Sequence, residues 1–241
     1  MSATVAIIPA RGGSKGIPRK NLVPICGHPL VAWSILHARH AKGVDAVYVS
    51  SDSEEILAVS ERYGAKPVRR PAEISGDRAS SESAWEHALD TIEAGGLPVA
   101  RIIGMQATSP LREPADLERA LAQYEQDRLD SLFSGTEVAD FFTWRIDEAG
   151  QPQAINYDWR NRKPRQFIEK RYLENGSFFI FTPAVLRAGN RMGERKGIYV
   201  MPTHKMFQID EPEDIHLCAA IMRGYGLDRI AGAAAEATRG E

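Results

Sequence analysis

Cysteine is scarce in this sequence of 241 residues: Cys26 and Cys218 stand far apart, without the spacing of a metal or redox pair. That usage excludes a disulfide framework and suits two reduced thiols in a cytoplasmic protein. Apolar runs of membrane-spanning length are lacking, and the first residues lead into a strand without a basic leader. No membrane partner and no export signal are therefore expected. Charge of one sign is lacking too: 30 Lys and Arg face 32 Asp and Glu, a net charge of −2. Such a balance argues against a general binder of nucleic acid or other polyanions, so any anion site must gather its cations locally. The six histidines form no metal set, since His37 and His40 share a helix face but a third ligand at a sensible spacing is missing. No internal repeat is present.

What is present suits one α/β domain over residues 1–227, with 43% hydrophobic and 26% charged residues to build its core and surface. The alanine-rich tail, 228–241, is expected to fray. Short β patterns at Val5–Pro9, Ala46–Ser50, Pro67–Arg69, Arg101–Gln106 and Ser131–Ser134 alternate with helical patterns at Leu30–Ala41, Glu54–Tyr63, Glu82–Glu93 and Ala115–Gln126. This alternation predicts a mostly parallel open sheet with helices on both faces and ligands at the carboxyl ends of its strands. The pattern breaks over about 139–172, where strand-like aromatic stretches, a turn at Glu148–Gly150 and a basic arm follow one another. It resumes with strands at Ser177–Phe181, Ile198–Met201 and Met206–Ile209 and a helix at Glu211–Arg223.

The first strand runs directly into VAIIPARGGSKGIPRKNL, a loop with Gly12, Gly13 and Gly16 among the cations Arg11, Lys15, Arg19 and Lys20. Glycines let peptide N–H groups approach an anion closely, and the cations supply charge, so phosphate is the ligand such a loop fits. A Walker A loop is excluded, because its lysine would sit directly before a Ser or Thr opening a helix. Here the lysine precedes Gly16 and Pro18 follows, which predicts an extended chain after the loop. The bland alternative is a strand-to-helix turn with solvated charges.

The run IIPARGGSKGIPRKN resembles the N-terminal signature of the acylneuraminate cytidylyltransferases, the CMP-sialic acid synthetases. Further matches are RRPAEISGDRASS (69–81), QATSP (106–110), PRQ (164–166), LENGSFFIF (173–181) and QIDEPED (208–214). The resemblance implies a nucleotide-diphospho-sugar transferase-like fold with a small dimerisation excursion at 139–172, hence a homodimer. Phe141, Phe142, Trp144, Tyr157 and Trp159 would suit that interface, or else cap one end of the core. The implied reaction is attack by the anomeric hydroxyl of a sialic-acid-like nonulosonic acid on the α-phosphate of CTP, with pyrophosphate leaving. Such chemistry asks for charge stabilisation rather than a protein nucleophile, which agrees with the lack of a Ser-His-Asp or Cys-His set.

Carried over residue by residue, the resemblance implies catalytic roles for Arg11, Lys20 and Arg165. It places the nucleotide on Arg11, Gly12, Gly13, Ser14, Lys15, Lys20, Asn21, Arg70, Ala79 and Ser81, and the sugar acid on Gln106, Arg165 and Asn175. Donors on Arg70 and the hydroxyl of Ser81 suit a pyrimidine edge. Taken without the resemblance, Ser80 or Ser81 reads first as the N-cap of the helical segment from Glu82, and it can hold both jobs. Gln106 also reads as a polar strand cap and Arg165 as a solvated charge.

The metal site departs from the family, which usually has Asp-x-Asp where this chain has Gln208-Ile209-Asp210. Mg2+ commonly takes only one or two protein carboxylates, so Asp210 alone could hold it, with the Gln208 carbonyl acting directly or through water. Asp210 reads equally as a helix cap before Pro212 and Glu213, and Asp52 with Glu55 reads as a cap. Two functions of different class remain at this point: an active cytidylyltransferase, or a nucleotide-binding relative whose metal site has decayed. Within the enzyme reading, the acid could be an acylneuraminate, its deaminated form, legionaminate or pseudaminate.

Overall fold

A computed structural model describes residues 2–138 and 140–230, so the tail from residue 231 onward lies outside the described residues. The chain opens with β1 (Ala3–Pro9), a small hairpin of β2 (Pro24–Ile25) and β3 (His28–Pro29), and α1 (Leu30–His40). β4 (Ala46–Ser51), α2 (Glu54–Arg62), β5 (Lys66–Arg69), α3 (Ser81–Ala94), β6 (Val99–Met105) and α4 (Pro114–Gln126) follow. After β7 (Ser131–Val138) come a hairpin of β8 (Trp144–Ile146) and β9 (Pro152–Ala154), then β10 (Arg171–Phe181), α5 (Pro183–Arg187), β11 (Lys196–Met201) and α6 (Pro212–Tyr225).

Seven strands form one sheet in the order β11-β7-β10-β6-β1-β4-β5. All neighbours are parallel except the two pairings made by β10. Strand β1 shows why both faces are covered. Its Ala6 and Ile8 join a cluster with Val31, Ile35, Val59 and Leu117 from α1, α2 and α4. Its Val5 and Ile7 turn to the other face, toward Trp85, Leu89 and Ile92 of α3 and Leu186 of α5. The period of two along a strand buried on both sides produces this division, and each fully buried large side chain contributes roughly 1.5–3 kcal/mol. Gly104 in β6 is needed there, because a Cβ would come within 2.7 Å of the Trp85 ring.

The expected strand at Met206–Ile209 does not form. A 3-10 turn at Thr203–Lys205 precedes it, and its one backbone bond to the strand ends is Ile209 N–H to the Thr108 carbonyl, 2.9 Å. Phe207 and Ile209 are apolar because they pack on a third cluster with Trp33, Leu111, Cys218 and Met222, beneath α6. The extended chain expected after Pro18 is also replaced by a turn: Arg19 is left-handed (φ 54°) and caps a 3-10 turn at Lys20–Leu22.

Arg112 ties the sheet to the site. It is fully buried, and its guanidinium donates to the carbonyls of Gln106 (2.6 Å) and Ser177 (3.0 Å) and to Ser34 Oγ (2.7 Å). Burial draws its pKa down to about 9, with Asp116 opposing that fall. It stays charged at neutral pH and ties the end of β6 to the middle of β10.

His37 lies fully buried against Trp33, with neither ring nitrogen hydrogen-bonded among the described residues. Burial pushes its pKa well below the usual value, and the nearby charges of Arg112, Lys205 and His40 push it further. The carboxylates facing this group, Glu113 and Asp116, are themselves paired with Lys205 at 2.5 and 2.6 Å. The unfolded chain takes up a proton at His37 near pH 6.5, whereas the folded chain refuses it until lower pH. Stability should therefore decline as pH falls below about 6.5. His37→Phe should flatten that decline in thermal melts between pH 7.5 and 5. Parallel melting curves for the two proteins would remove His37 as the source of acid lability.

Candidate functional site

A cleft of about 260 Å³ opens at the carboxyl ends of β1, β5 and β6. The chain passes from β1 to β4 on one side and to β6 on the other, and open α/β sheets bind ligands at such a reversal. One wall is the glycine loop. Gly12 donates its N–H to Asp52 Oδ1 (2.8 Å), and Asn21 Nδ2 donates to the Arg11 carbonyl (2.9 Å), so the loop is clipped at both ends. Gly16 presses on the far rim, where a Cβ would stand 2.6 Å from the backbone oxygen of Asp210. Lys20 Nζ reaches the same rim, donating to the Ile209 carbonyl (3.1 Å) and to Asp210 Oδ1 (3.0 Å).

The floor is made by Arg70, Ser81 and Gln106. Arg70 is 6% exposed, yet its Nε and Nη2 have no acceptor among the described residues. Burial lowers its pKa, and Asp52 raises it against the like charge of Arg11. A buried guanidinium with free donors is costly, so these donors are open to an acceptor in the cleft. Gln106 Nε2 donates to Ser81 Oγ (3.0 Å), while Arg112 holds the Gln106 backbone from behind.

The fold brings Arg11, Gly13, Ser14, Lys20, Asn21, Arg70, Ala79, Ser81 and Gln106 together around this cleft. Gly12 lies under the loop, its N–H spent on Asp52, and Lys15 stands exposed on the rim. Two residues assigned to the sugar acid do not line the cleft. Asn175 is buried with Oδ1 accepting from Ser134 Oγ (2.6 Å) and Ser177 N (3.2 Å), so its side chain shapes the irregular register of β10. Arg165 is exposed on the arm, in a 3-10 turn at Arg165–Phe167.

One capping expectation holds and two are corrected. Ser80 caps α3 by accepting from Ser83 N, which leaves Ser81 free to face the cleft. Ser53, not Asp52, caps α2. Glu211, not Asp210, occupies the N-cap of α6, with Asp214 accepting from both N–H groups, so the carboxylate of Asp210 projects to the rim.

Magnesium finds a partial fit. Among the described residues no group of three acidic, His or Cys side chains could cage a metal. Asp210 offers one largely exposed carboxylate beside the loop, which suits an ion shared with phosphate oxygens and water. Gln208 is otherwise engaged: its Nε2 donates to the Asn175 carbonyl (2.8 Å), and its Oε1 accepts from Thr108 Oγ1 at 3.4 Å. Asp52, Asp77 and Arg112 were not anticipated as site residues. Asp77 accepts from Arg11 Nη1 (2.9 Å) and pairs with Lys15 Nζ (2.7 Å).

Residues 5–214 match the family model described as Cytidylyltransferase. The chain is 36% identical over 234 residues to the N-acylneuraminate cytidylyltransferase of Oncorhynchus mykiss, a match covering 93% of this chain but 52% of that protein. It is 32% identical over 226 residues to the pseudaminic acid cytidylyltransferase of Campylobacter jejuni, covering 91% of this chain and 96% of that one. The chain thus spans about half the length of the first relative and nearly all of the second. Among solved structures, CMP:2-keto-3-deoxy-manno-octonic acid synthetase complexed with CTP shares the fold at a TM-score of 0.70 and 17% identity, covering 93% of this chain and all of that one (100%).

The seating of Gly16 on Asp210 gives a direct test of the cleft. Gly16→Ala forces a methyl against backbone, so either stability falls by about 1–3 kcal/mol or the loop lifts off the rim. Thermal melting reads the first, and calorimetric titration with CTP reads the second as weaker binding. A variant unchanged in both would show that the loop does not rest on Asp210.

Proposed function

The chain belongs to the cytidylyltransferase family, and we propose that it transfers CMP from CTP to the anomeric hydroxyl of a nonulosonic acid, releasing pyrophosphate. The observation that carries this reading is Arg70: its buried, unsatisfied donors lie on the cleft floor beside Ser81, where a pyrimidine carbonyl would complete them. Arg11, Lys15 and Lys20 then face the triphosphate from the wall of the cleft, and Gly13 and Ser14 bring backbone close to it. Their positive charge stabilises the negative charge that develops on the leaving phosphates. Gln106, held rigidly by Arg112, presents its amide to hydroxyls of the acceptor.

The cleft volume of about 260 Å³ lies just under the roughly 300–1,000 Å³ usual for small-molecule sites. One reactant fills it, so the sugar acid lies toward the open side. We assign completion of that side to the arm of a second subunit in a homodimer. Exposed Phe141, Trp144, Trp159 and Phe167 give the arm an apolar face for such pairing, and Arg165 rides on it with a guanidinium suited to the sugar carboxylate. Within the nonulosonic acids we place N-acylneuraminate first, on the resemblance carried by residues 173–181 and the 36% identity to the relative named for that substrate.

Initial rates of pyrophosphate release from CTP with a panel of N-acetylneuraminate, its deaminated form, legionaminate and pseudaminate test the proposal. N-acetylneuraminate should give the highest kcat/KM. A higher value for pseudaminate would move the chain to that branch, and no release with any acid would sink the enzyme reading.

Asp210 is the residue that would hold magnesium, and a divalent ion would supply charge neutralisation for the departing pyrophosphate. Because Glu211 and Asp214 cap α6, Asp210→Asn should leave the fold intact while lowering turnover and shifting the magnesium dependence upward. Manganese binding followed by electron paramagnetic resonance should weaken in parallel. Turnover and metal dependence both unchanged would reduce Asp210 to a partner of Lys20.

A further inference from the structure

The first two cations of the glycine loop share a partner within the chain. Asp77 lies between the 3-10 turn at Ala72–Ile74 and α3, and its two carboxylate oxygens divide between Arg11 Nη1 at 2.9 Å and Lys15 Nζ at 2.7 Å. The arrangement copies a phosphate bridging the same two side chains. We propose that Asp77 is a specificity-determining residue, an internal stand-in for the outer phosphates that yields only to a ligand bringing more negative charge to Arg11 and Lys15. The inference rests on the proposed role of those two residues as triphosphate contacts.

Charge counting explains the discrimination. One carboxylate brings a single negative charge to two cations, whereas the outer phosphates of a nucleoside triphosphate bring several charges and more acceptor oxygens. Exchanging Asp77 for them is favourable. A nucleoside monophosphate has no outer phosphates, so Asp77 keeps its place and the ligand gains nothing there. After transfer, pyrophosphate is no longer tethered to the nucleoside, and the returning carboxylate competes for its cations and speeds its release.

The loop is built for this exchange. Asp77 and its neighbours Gly76 and Arg78 are exposed, and no heavy atom lies near the position of a Cβ on Gly76, so the segment moves without disturbing packing. Its carboxyl is held below the usual range, chiefly by the hydrogen bond from Lys15, so the carboxylate is charged throughout the neutral range. Exposed ion pairs are individually weak, which makes Asp77 a tuning element rather than a block.

The test compares wild type, Asp77→Asn and Asp77→Glu for binding of CTP, CMP and pyrophosphate by titration calorimetry, without added metal. Asparagine is isosteric and uncharged. Asp77→Asn should bind pyrophosphate and CTP roughly three- to tenfold more tightly with CMP unaffected, should lose that gain at high salt, and should be more sensitive to product inhibition by pyrophosphate. Asp77→Glu, which restores the charge, should return the wild-type preference. Pyrophosphate affinity unchanged or weakened in Asp77→Asn, or an equal gain for CMP, would overturn the inference. Failure of every variant to bind CTP would instead overturn the proposed function, while the pyrophosphate comparison would still judge Asp77.

Discussion

Gathering cations in one cleft of a nearly neutral chain is the constraint around which this structure is arranged. Like charges crowded into one loop repel, weakly where water surrounds them and more strongly where a ligand or packing excludes it, so carboxylates close by favour the arrangement. Each has a carboxylate in reach: Arg11 and Lys15 share Asp77, Arg19 pairs with Glu55, and Lys20 pairs with Asp210. None of these acids lies on the loop itself. They come from the start of α2, from the loop before α3 and from the segment before α6, so one short loop draws distant parts of the chain toward it. Arg70 is the exception. It has Asp52 nearby but, among the described residues, no acceptor for two of its donors.

A second constraint is rigidity behind the charges. The cleft opens beyond the end of β6, a strand that pairs in parallel with β1 and antiparallel with β10. Arg112 donates to the Gln106 carbonyl just after β6, to the Ser177 carbonyl within β10 and to Ser34 on α1, so the Gln106 backbone is fixed from a buried position. Gln106 in turn fixes Ser81. A chain of hydrogen bonds therefore runs from the core to the cleft floor, and removal of Arg112 would leave buried acceptors unpaired. The flexible counter-ions and the rigid floor divide the work between admitting a ligand and orienting it.

How much of this was legible in the sequence depended on the distance between partners. The glycine loop could be read because glycines and cations lie within a dozen residues, and the sheet because hydrophobic alternation is local. Asp52 was mistaken for a cap: its partner, Gly12, is 40 residues away, while a capping pattern lies directly beside it. Asp77 bonds to Arg11 over 66 residues and Arg112 to Ser34 over 78, and no local pattern announces either. Met206–Ile209 shows the converse failure, since its apolar residues serve packing under α6 and carry no information about strand pairing. Asn175 sits in a recognised motif and is spent inside the fold, which shows that a motif locates a neighbourhood before it locates a contact.

The arm makes sense only in relation to what it lacks. Its β8–β9 hairpin forms a separate two-stranded sheet, and two strands alone are marginal in water. Phe142 stacks on Tyr157 with centroids 4.1 Å apart, Trp144 meets the same ring edge-on, and Arg162 lies over Phe142 at 4.6 Å, so the arm has a small aromatic core of its own. Phe141, Ile146, Ile155, Trp159 and Phe167 remain outside that core and exposed. Scattered apolar residues need no explanation, but this concentration on one excursion does. Covering it with a second copy, as in the proposed homodimer, would stabilise the hairpin. The same pairing would carry Arg165, exposed and apart from its own cleft, to a place where its charge has a use.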